Sequence, residues 1–206
     1  MNLGLLAESK IEPRMIEHKG WYSRRNLPHF DGGNTNQFIT FRLADSLPVG
    51  VLEQLEEDLK TFKGDAEIEK IRGIEKLIDQ GSGSCILRHS ACAEIVRSSL
   101  EFLDGERFDL HAWVLMPNHV HFLARFNEGQ LLPDGLHSLK SYTANEIKKI
   151  YPEMGSVWQP GYFDRYMRSE EHFWRKINYI HQNPVNAKLC AEPHEFQWSS
   201  AALVRE

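Results

Sequence analysis

Two histidines one residue apart, His119 and His121 in the run HAWVLMPNHVHFLARF, are of a type and spacing that can do chemistry. The run reads as strand, and alternate side chains on a strand share a face, so the imidazoles point the same way about 7 Å apart. Val120, Phe122 and Ala124 then point to the other face and can pack into a core. Two convergent imidazoles at that spacing can share one metal ion. With ten histidines in the chain, an H-x-H pair also arises by chance, so it needs partners to mean anything. His111, on the preceding strand in register with Trp113 and Leu115, reads as a packed residue. His18, His29, His89, His137, His172 and His194 have no partner at ligand spacing and read as structural or surface residues.

The partners are offered by WRKINYIHQNPV, residues 174–185. On a helix Tyr179 and Asn183 stand at i and i+4, on one face. If that face meets the sheet beside the imidazoles, two ring nitrogens and an amide oxygen become three metal ligands with a phenol next to them. Such a group suits phosphodiester cleavage through a covalent intermediate. The metal acts as a Lewis acid on a non-bridging phosphate oxygen, and the tyrosine oxygen attacks phosphorus. An unperturbed tyrosine has a pKa of about 10, so a nearby cation must help it ionise. The plainer alternative makes Tyr179 a half-buried helix residue and Asn183-Pro184 a stop signal. Among six tyrosines, the rival is Tyr142, on a helix with Lys140, Lys148 and Lys149. One turn after it stands Glu146, a solvated helix charge by default.

These residues need elements to position them. FITFRLA (38–44) alternates as a strand, and RFDLHAWVLM with HVHFLARF forms a hairpin whose loop is Pro117-Asn118. Helices are expected at 49–63, 66–79, 90–103 and about 136–150, with a short strand in GYFDRYMR. A last helix runs from Ser169, an N-cap with Glu170 and Glu171 in the first turn, to Asn183, where Pro184 should end it. Residues 20–37 mix aromatic, Arg, Pro and Gly residues without period and read as loop. DQGSGSC is a break with turn makers at Gly81, Ser82 and Gly83. This order predicts an α+β domain, an antiparallel sheet covered by helices.

The chain has 206 residues, 41% hydrophobic and 26% charged, which suits one soluble domain. No apolar run approaches a membrane span, and the N-terminus lacks a basic start followed by an apolar core, so a cytoplasmic protein is expected. Cys85, Cys92 and Cys190 contain no C-x-x-C pair and argue against a disulfide framework or a cysteine zinc site. The formal charge of −5 does not suggest a nucleic-acid binder, but it is unevenly spread. Glu53, Glu56, Glu57, Asp58, Asp65, Glu67, Glu69, Glu75 and Asp79 crowd one helical region. Arg14, Lys19, Arg24, Arg25 and Arg42 lie before it, so a basic face is compatible with net acidity.

Four motifs in order, AWVLMPNHVHFL, SLKSYTANEI, VWQPGYFDRYMR and YIHQNPVNAKL, resemble the single-tyrosine HUH transposases, and most of all the REP-associated tyrosine transposases. The resemblance runs from about Trp21 to the WSSA at 198–201. It implies a ferredoxin-like antiparallel sheet with flanking helices, His119 and His121 as the HUH pair, Tyr179 as nucleophile and Asn183 as the polar third ligand. It further implies Mg²⁺ or Mn²⁺, and cleavage of single-stranded DNA beside imperfect hairpins through a 5′-phosphotyrosine link. Rolling-circle initiators of the same class use two tyrosines a helical turn apart. Here Arg175 and Asn183 flank Tyr179 at that spacing, which favours the transposase branch.

The expected organisation is an N-terminal tail over 1–20 and one catalytic domain over 21–206, with an acidic helical insertion at about 49–85. The insertion exceeds what a minimal core needs, and with the overall acidity it leaves room for a domesticated role. DNA contacts are expected where cations accompany aromatics, in WYSRRN, SLKSY and RYMR: Arg24, Arg25, Lys140, Arg165 and Arg168. The partner expected is hairpin-bearing single-stranded DNA, with no membrane, and the chain working as monomer or homodimer. Two other classes stand beside this one: a catalytically silent binder of hairpin DNA or RNA, and an unrelated metal-dependent hydrolase using the histidine pair alone.

Overall fold

The computed structural model describes residues 20–24, 27–47, 50, 73–74, 76–79 and 81–203. Arg25, the expected tail up to residue 19 and most of the expected acidic insertion lie outside the described residues.

The central strands are near-continuously buried, because alternate side chains point to opposite faces of a sheet that is covered on both. A hairpin of β1 (Gly20–Arg24) and β2 (Leu27–Asp31) precedes β3 (Asn36–Arg42). A 3-10 turn (Ile86–Arg88) leads into α1 (Ser90–Leu103), then β4 (Phe108–Met116) and β5 (His119–Phe126) joined through Pro117-Asn118. Next come α2 (Leu132–Ile150), β6 (Phe163–Tyr166) and α3 (Glu170–Asn186). The main sheet has the order β4-β5-β3-β6 with every pairing antiparallel. Each crossover, β3 to β4 and β5 to β6, carries a helix, which is the ferredoxin-like arrangement expected. No described helix is long and apolar enough to cross a membrane.

The two sheet faces do different work. Ile39, Phe41, Val120 and Phe122 face α1 and α2, packing on Val96, Leu100, Leu136, Leu139 and Ile147. Phe38, Val114, Met116 and Leu123 face the other way with Ile180, and Phe173, Ile177 and Tyr179 pack against them. Burying Ile180 fully stabilises the docking of α3 by roughly 1.5–3 kcal/mol. Its amphipathic period therefore fixes which side of α3 meets the histidine face. Ser169 caps α3 as expected, accepting from the His172 N–H at 3.2 Å.

Four expectations are corrected. Residues 20–37 hold a hairpin, because tertiary contacts stabilise it where local pattern does not. His29 pairs with buried Asp164, the Phe30 N–H donates to the same carboxylate at 3.1 Å, and Phe30 stacks on Tyr166. Pro184 does not stop α3, which runs on to Asn186. So near the C-terminus proline forfeits one helical hydrogen bond, and its buried ring packs. α2 begins at Leu132, with Pro133 in its first turn, where a missing N–H costs nothing. His111 leaves the register of Trp113 and Leu115 at a β-bulge between Leu110 and Ala112, and although exposed it packs its ring edge-on against Phe173, centroids 5.2 Å apart. The His111 Nε2 meets Asn36 Oδ1 at 2.8 Å.

Candidate metal centre and its tyrosine

β5 sets His119 and His121 on the α3 face of the sheet, both essentially without solvent exposure. Their Nε2 atoms lie 3.0 Å apart, and each Nδ1 is held from behind. Asn118 Oδ1 stands 2.8 Å from His119 Nδ1, while the Asn118 amide nitrogen donates to the carbonyls of Ile78 and Ser82, both at 3.0 Å. With its donors spent on carbonyls, Asn118 can offer His119 only an acceptor, so His119 carries its proton on Nδ1 and directs a lone pair from Nε2. Burial, and secondly the neighbouring His121, push the His119 pKa well below the usual histidine range. The ring is neutral at pH 7.

His121 Nδ1 lies 2.7 Å from the Thr40 hydroxyl on the neighbouring strand, its register partner. A hydroxyl either accepts or donates, so Thr40 serves both tautomers of His121. When it accepts, both Nε2 lone pairs converge on one point, an arrangement that suits a shared cation.

A further donor, beyond His119, His121 and Asn183, was not foreseen. Asp79, at the end of helical residues 76–79, brings Oδ1 to 3.4 Å from His119 Nε2 and 3.9 Å from His121 Nε2. The three ligand atoms lie within 4.8 Å of one another. Among the described residues, Asp79 Oδ1, at the imidazole pair, and Asn183 Oδ1, on α3, are buried without a hydrogen-bond partner. Unpaired buried oxygens are costly, and oxygen together with imidazole nitrogen is a donor set that divalent metal ions take. The residues fit a divalent cation. In the sequence Asp79 was one acid among nine; its signal was its place as the last of them, one residue before the Gly-Ser-Gly turn.

α3 brings Tyr179 to the same face. Its ring centroid is 5.4 Å from that of His121 and 5.8 Å from that of Phe38, and the residue is half-buried. Asn183 follows one turn later, 3% exposed. Lys176, which sequence reasoning passed over, sits one turn earlier with its ammonium 4.5 Å from the Tyr179 ring centroid. Its i, i+3 spacing to Tyr179 was the available signal. Tyr142 stays away from this cluster: it is 58% exposed on α2, which packs against the opposite sheet face.

The expected DNA contacts are scattered. Arg165 pairs in register with Phe38 and so shares the face of the imidazoles, exposed on the edge strand. Arg168 is exposed, its guanidinium 5.4 Å over the Tyr166 ring. Lys140 donates to the carbonyls of Gln159 and Gly161 at 2.7 and 2.6 Å, holding the loop before β6. It also lines a cleft of about 610 Å³ with Thr40, Arg42, Lys148 and Tyr162. Arg24 lies at the end of β1, and Arg25 is outside the described residues. Trp158 is buried, its indole N–H donating to Thr143 at 2.9 Å.

Residues 86–183 match the family described as Transposase IS200 like. The chain is similar to a REP-associated tyrosine transposase of Escherichia coli (strain K12), 30% identical over 96 residues, which cover 45% of this chain and 54% of that protein. The match thus spans about half the length of that relative. A solved structure of a REP-associated tyrosine transposase bound to a REP hairpin superimposes with a TM-score of 0.56 at 16% identity, over 87% of this chain and 81% of that one. The shared architecture is an α+β fold, an antiparallel sheet with flanking helices.

Proposed function

We propose that the protein is a metal-dependent, single-strand-specific DNA endonuclease and strand transferase that acts beside hairpin DNA. The observation that carries this reading is the meeting of Tyr179 with His121, ring centroids 5.4 Å apart on one sheet face. His119, His121 and Asn183 would hold Mg²⁺ or Mn²⁺, which when bound supplies Lewis-acid polarisation of a non-bridging phosphate oxygen. Tyr179 Oη gives up its proton to water and forms a bond to the scissile phosphorus. The bond from phosphorus to the 3′-oxygen breaks, and that oxygen takes a proton from water, leaving a free 3′-hydroxyl and a 5′-phosphotyrosine. Because the link keeps the energy of the broken phosphodiester, a later DNA 3′-hydroxyl can displace the tyrosine without ATP.

The other residues orient and neutralise. Asn118 sets the tautomer of His119, and Thr40 orients the His121 ring from behind. Lys176 puts positive charge beside the phenol, where negative charge develops on the attacking oxygen and the phosphate. Arg165 extends that charge along the same sheet face, and the cleft beside Thr40, with Arg42, Lys140 and Lys148, continues it around the edge. Arg24, Arg25 and Arg168 are proposed to contact the hairpin, which the likeness to a hairpin-bound transposase supports.

The test is a labelled hairpin oligonucleotide incubated with protein and Mn²⁺, then run on a denaturing protein gel. This reading requires label on the protein. A shift seen only under native conditions would make the chain a silent binder, and cut DNA without labelled protein would make it a hydrolase. Thr40→Val removes the acceptor behind His121 while keeping the side-chain shape. Mn²⁺ binding is expected to weaken about 10-fold, the low end for groups that orient a metal ligand, as read by calorimetric titration.

A further inference from the structure

We propose that Asp79, delivered by the acidic segment, is a carboxylate ligand of the same cation, so that this centre is completed from a part of the chain far from the histidine strand and the tyrosine helix. The proposal rests on the reading that a divalent ion sits at the imidazole pair. Three observations carry it.

The first is geometry. In an octahedral Mg²⁺ or Mn²⁺ site with metal–ligand distances near 2.1 Å, neighbouring ligand atoms stand about 3 Å apart. The separations are 3.0 Å between the two Nε2 atoms, and 3.4 and 3.9 Å from each to Asp79 Oδ1. A sub-ångström adjustment therefore puts all three on one ion.

The second is burial. Asp79 Oδ1 is inaccessible and has no hydrogen-bond donor, although the side chain as a whole is 33% exposed. A carboxylate free only to reach water would turn this oxygen outward, since a buried charge without a partner costs several kcal/mol. Here the oxygen is directed inward, at the imidazole nitrogens.

The third is the framework that holds Asp79 there. Asn118, which fixes the His119 tautomer, also donates to the carbonyls of Ile78 and Ser82 on either side of Asp79. The turn that follows is tightly built. Gly83 has φ +92°, and a Cβ there would lie 2.6 Å from the Asp45 carbonyl oxygen, so only glycine fits without a shift. The Ser84 N–H donates to the Asp45 carboxylate at 2.7 Å, and the Gly81 N–H donates to Ile78 at 3.0 Å. One asparagine therefore couples the register of the acidic segment to that of the histidine strand.

The chemical consequence is selectivity. Two neutral imidazoles and an amide oxygen form an uncharged donor set that nitrogen-preferring ions fill as readily as hard ones. A carboxylate adds negative charge and a hard oxygen, which favours Mg²⁺ and Mn²⁺.

Mn²⁺ binding to the full chain without DNA, followed by electron paramagnetic resonance of the free ion, tests this. Asp79→Asn is expected to weaken Mn²⁺ at least about 10-fold, whereas Tyr179→Phe stays within about twofold. Asp79→Cys loaded with Co²⁺ is expected to show a thiolate-to-cobalt charge-transfer band absent from the native chain. That band decides the matter if Asp79→Asn folds poorly by circular dichroism. Native-like Mn²⁺ affinity in Asp79→Asn without the band in Asp79→Cys overturns the proposal, and faster DNA cleavage at unchanged affinity overturns it in favour of a covering role. His121→Ala separates the two readings. If it loses Mn²⁺ while Asp79→Asn does not, the cation remains and Asp79 is no ligand. If neither variant changes binding, the cation reading itself fails.

Discussion

Tyr179→Phe is expected to abolish the covalent protein–DNA adduct and to cut hairpin-oligonucleotide cleavage by at least about 10⁴-fold, while Mn²⁺ binding and folding stay near native. The substitution deletes one oxygen from a half-buried ring. The ring keeps its edge contacts with Phe38 and His121 and its place beneath the Lys176 ammonium, so packing changes little. What vanishes is the hydroxyl proposed to bond to phosphorus, and loss of a nucleophile costs several orders of magnitude. At 1.36 kcal/mol per tenfold, 10⁴ corresponds to about 5.4 kcal/mol of barrier. Tyr142→Phe, on an exposed position over the opposite sheet face, is expected to leave adduct formation unchanged. A denaturing gel with end-labelled DNA reads both variants. Label remaining on the Tyr179→Phe protein, or lost with Tyr142→Phe, would remove Tyr179 from the chemistry.

Local periodicity made part of this site readable. The period-two alternation of HVHFLARF and the Pro117-Asn118 turn fix which side of β5 carries the imidazoles, and the i, i+4 spacing puts Tyr179 and Asn183 together on α3. That the two faces meet follows from Ile180, because its burial against Phe38, Val114 and Leu123 leaves α3 one orientation. The features that were not legible depend on tertiary contacts. Asp79 reaches the imidazoles through hydrogen bonds from Asn118, 39 positions further along the chain; no pattern within the acidic run encodes that meeting. The β1–β2 hairpin likewise lacks clean alternation, since His29 is recruited by Asp164 on β6 and Phe30 by Tyr166. His111 shows the converse: a strand pattern that continued through it was broken by a bulge that periodicity does not announce.

His121→Ala is expected to separate stability from function at the imidazole pair. In the native chain two buried imidazoles meet at 3.0 Å with the Asp79 carboxylate beside them. Such a polar cluster is held at a cost to stability that an apolar packing would not carry, the usual compromise at a working site. A bound cation repays that cost by linkage: at a concentration 100 times Kd it stabilises the folded state by about 2.7 kcal/mol. The native chain should therefore show a clear rise in unfolding midpoint on adding saturating Mn²⁺. His121→Ala should show almost none, because the donor set loses one of its converging nitrogens and Thr40 loses the ring it orients. Comparing each protein with itself, with and without Mn²⁺, removes the cavity left by the missing ring from the result. Adduct formation should fall at least about 10³-fold, or roughly 4 kcal/mol of barrier. Urea denaturation at two Mn²⁺ concentrations measures the linkage and the labelled-oligonucleotide gel measures the chemistry. An undiminished Mn²⁺ response in His121→Ala would move the cation away from β5 and leave Tyr179 without the electrophile its position requires.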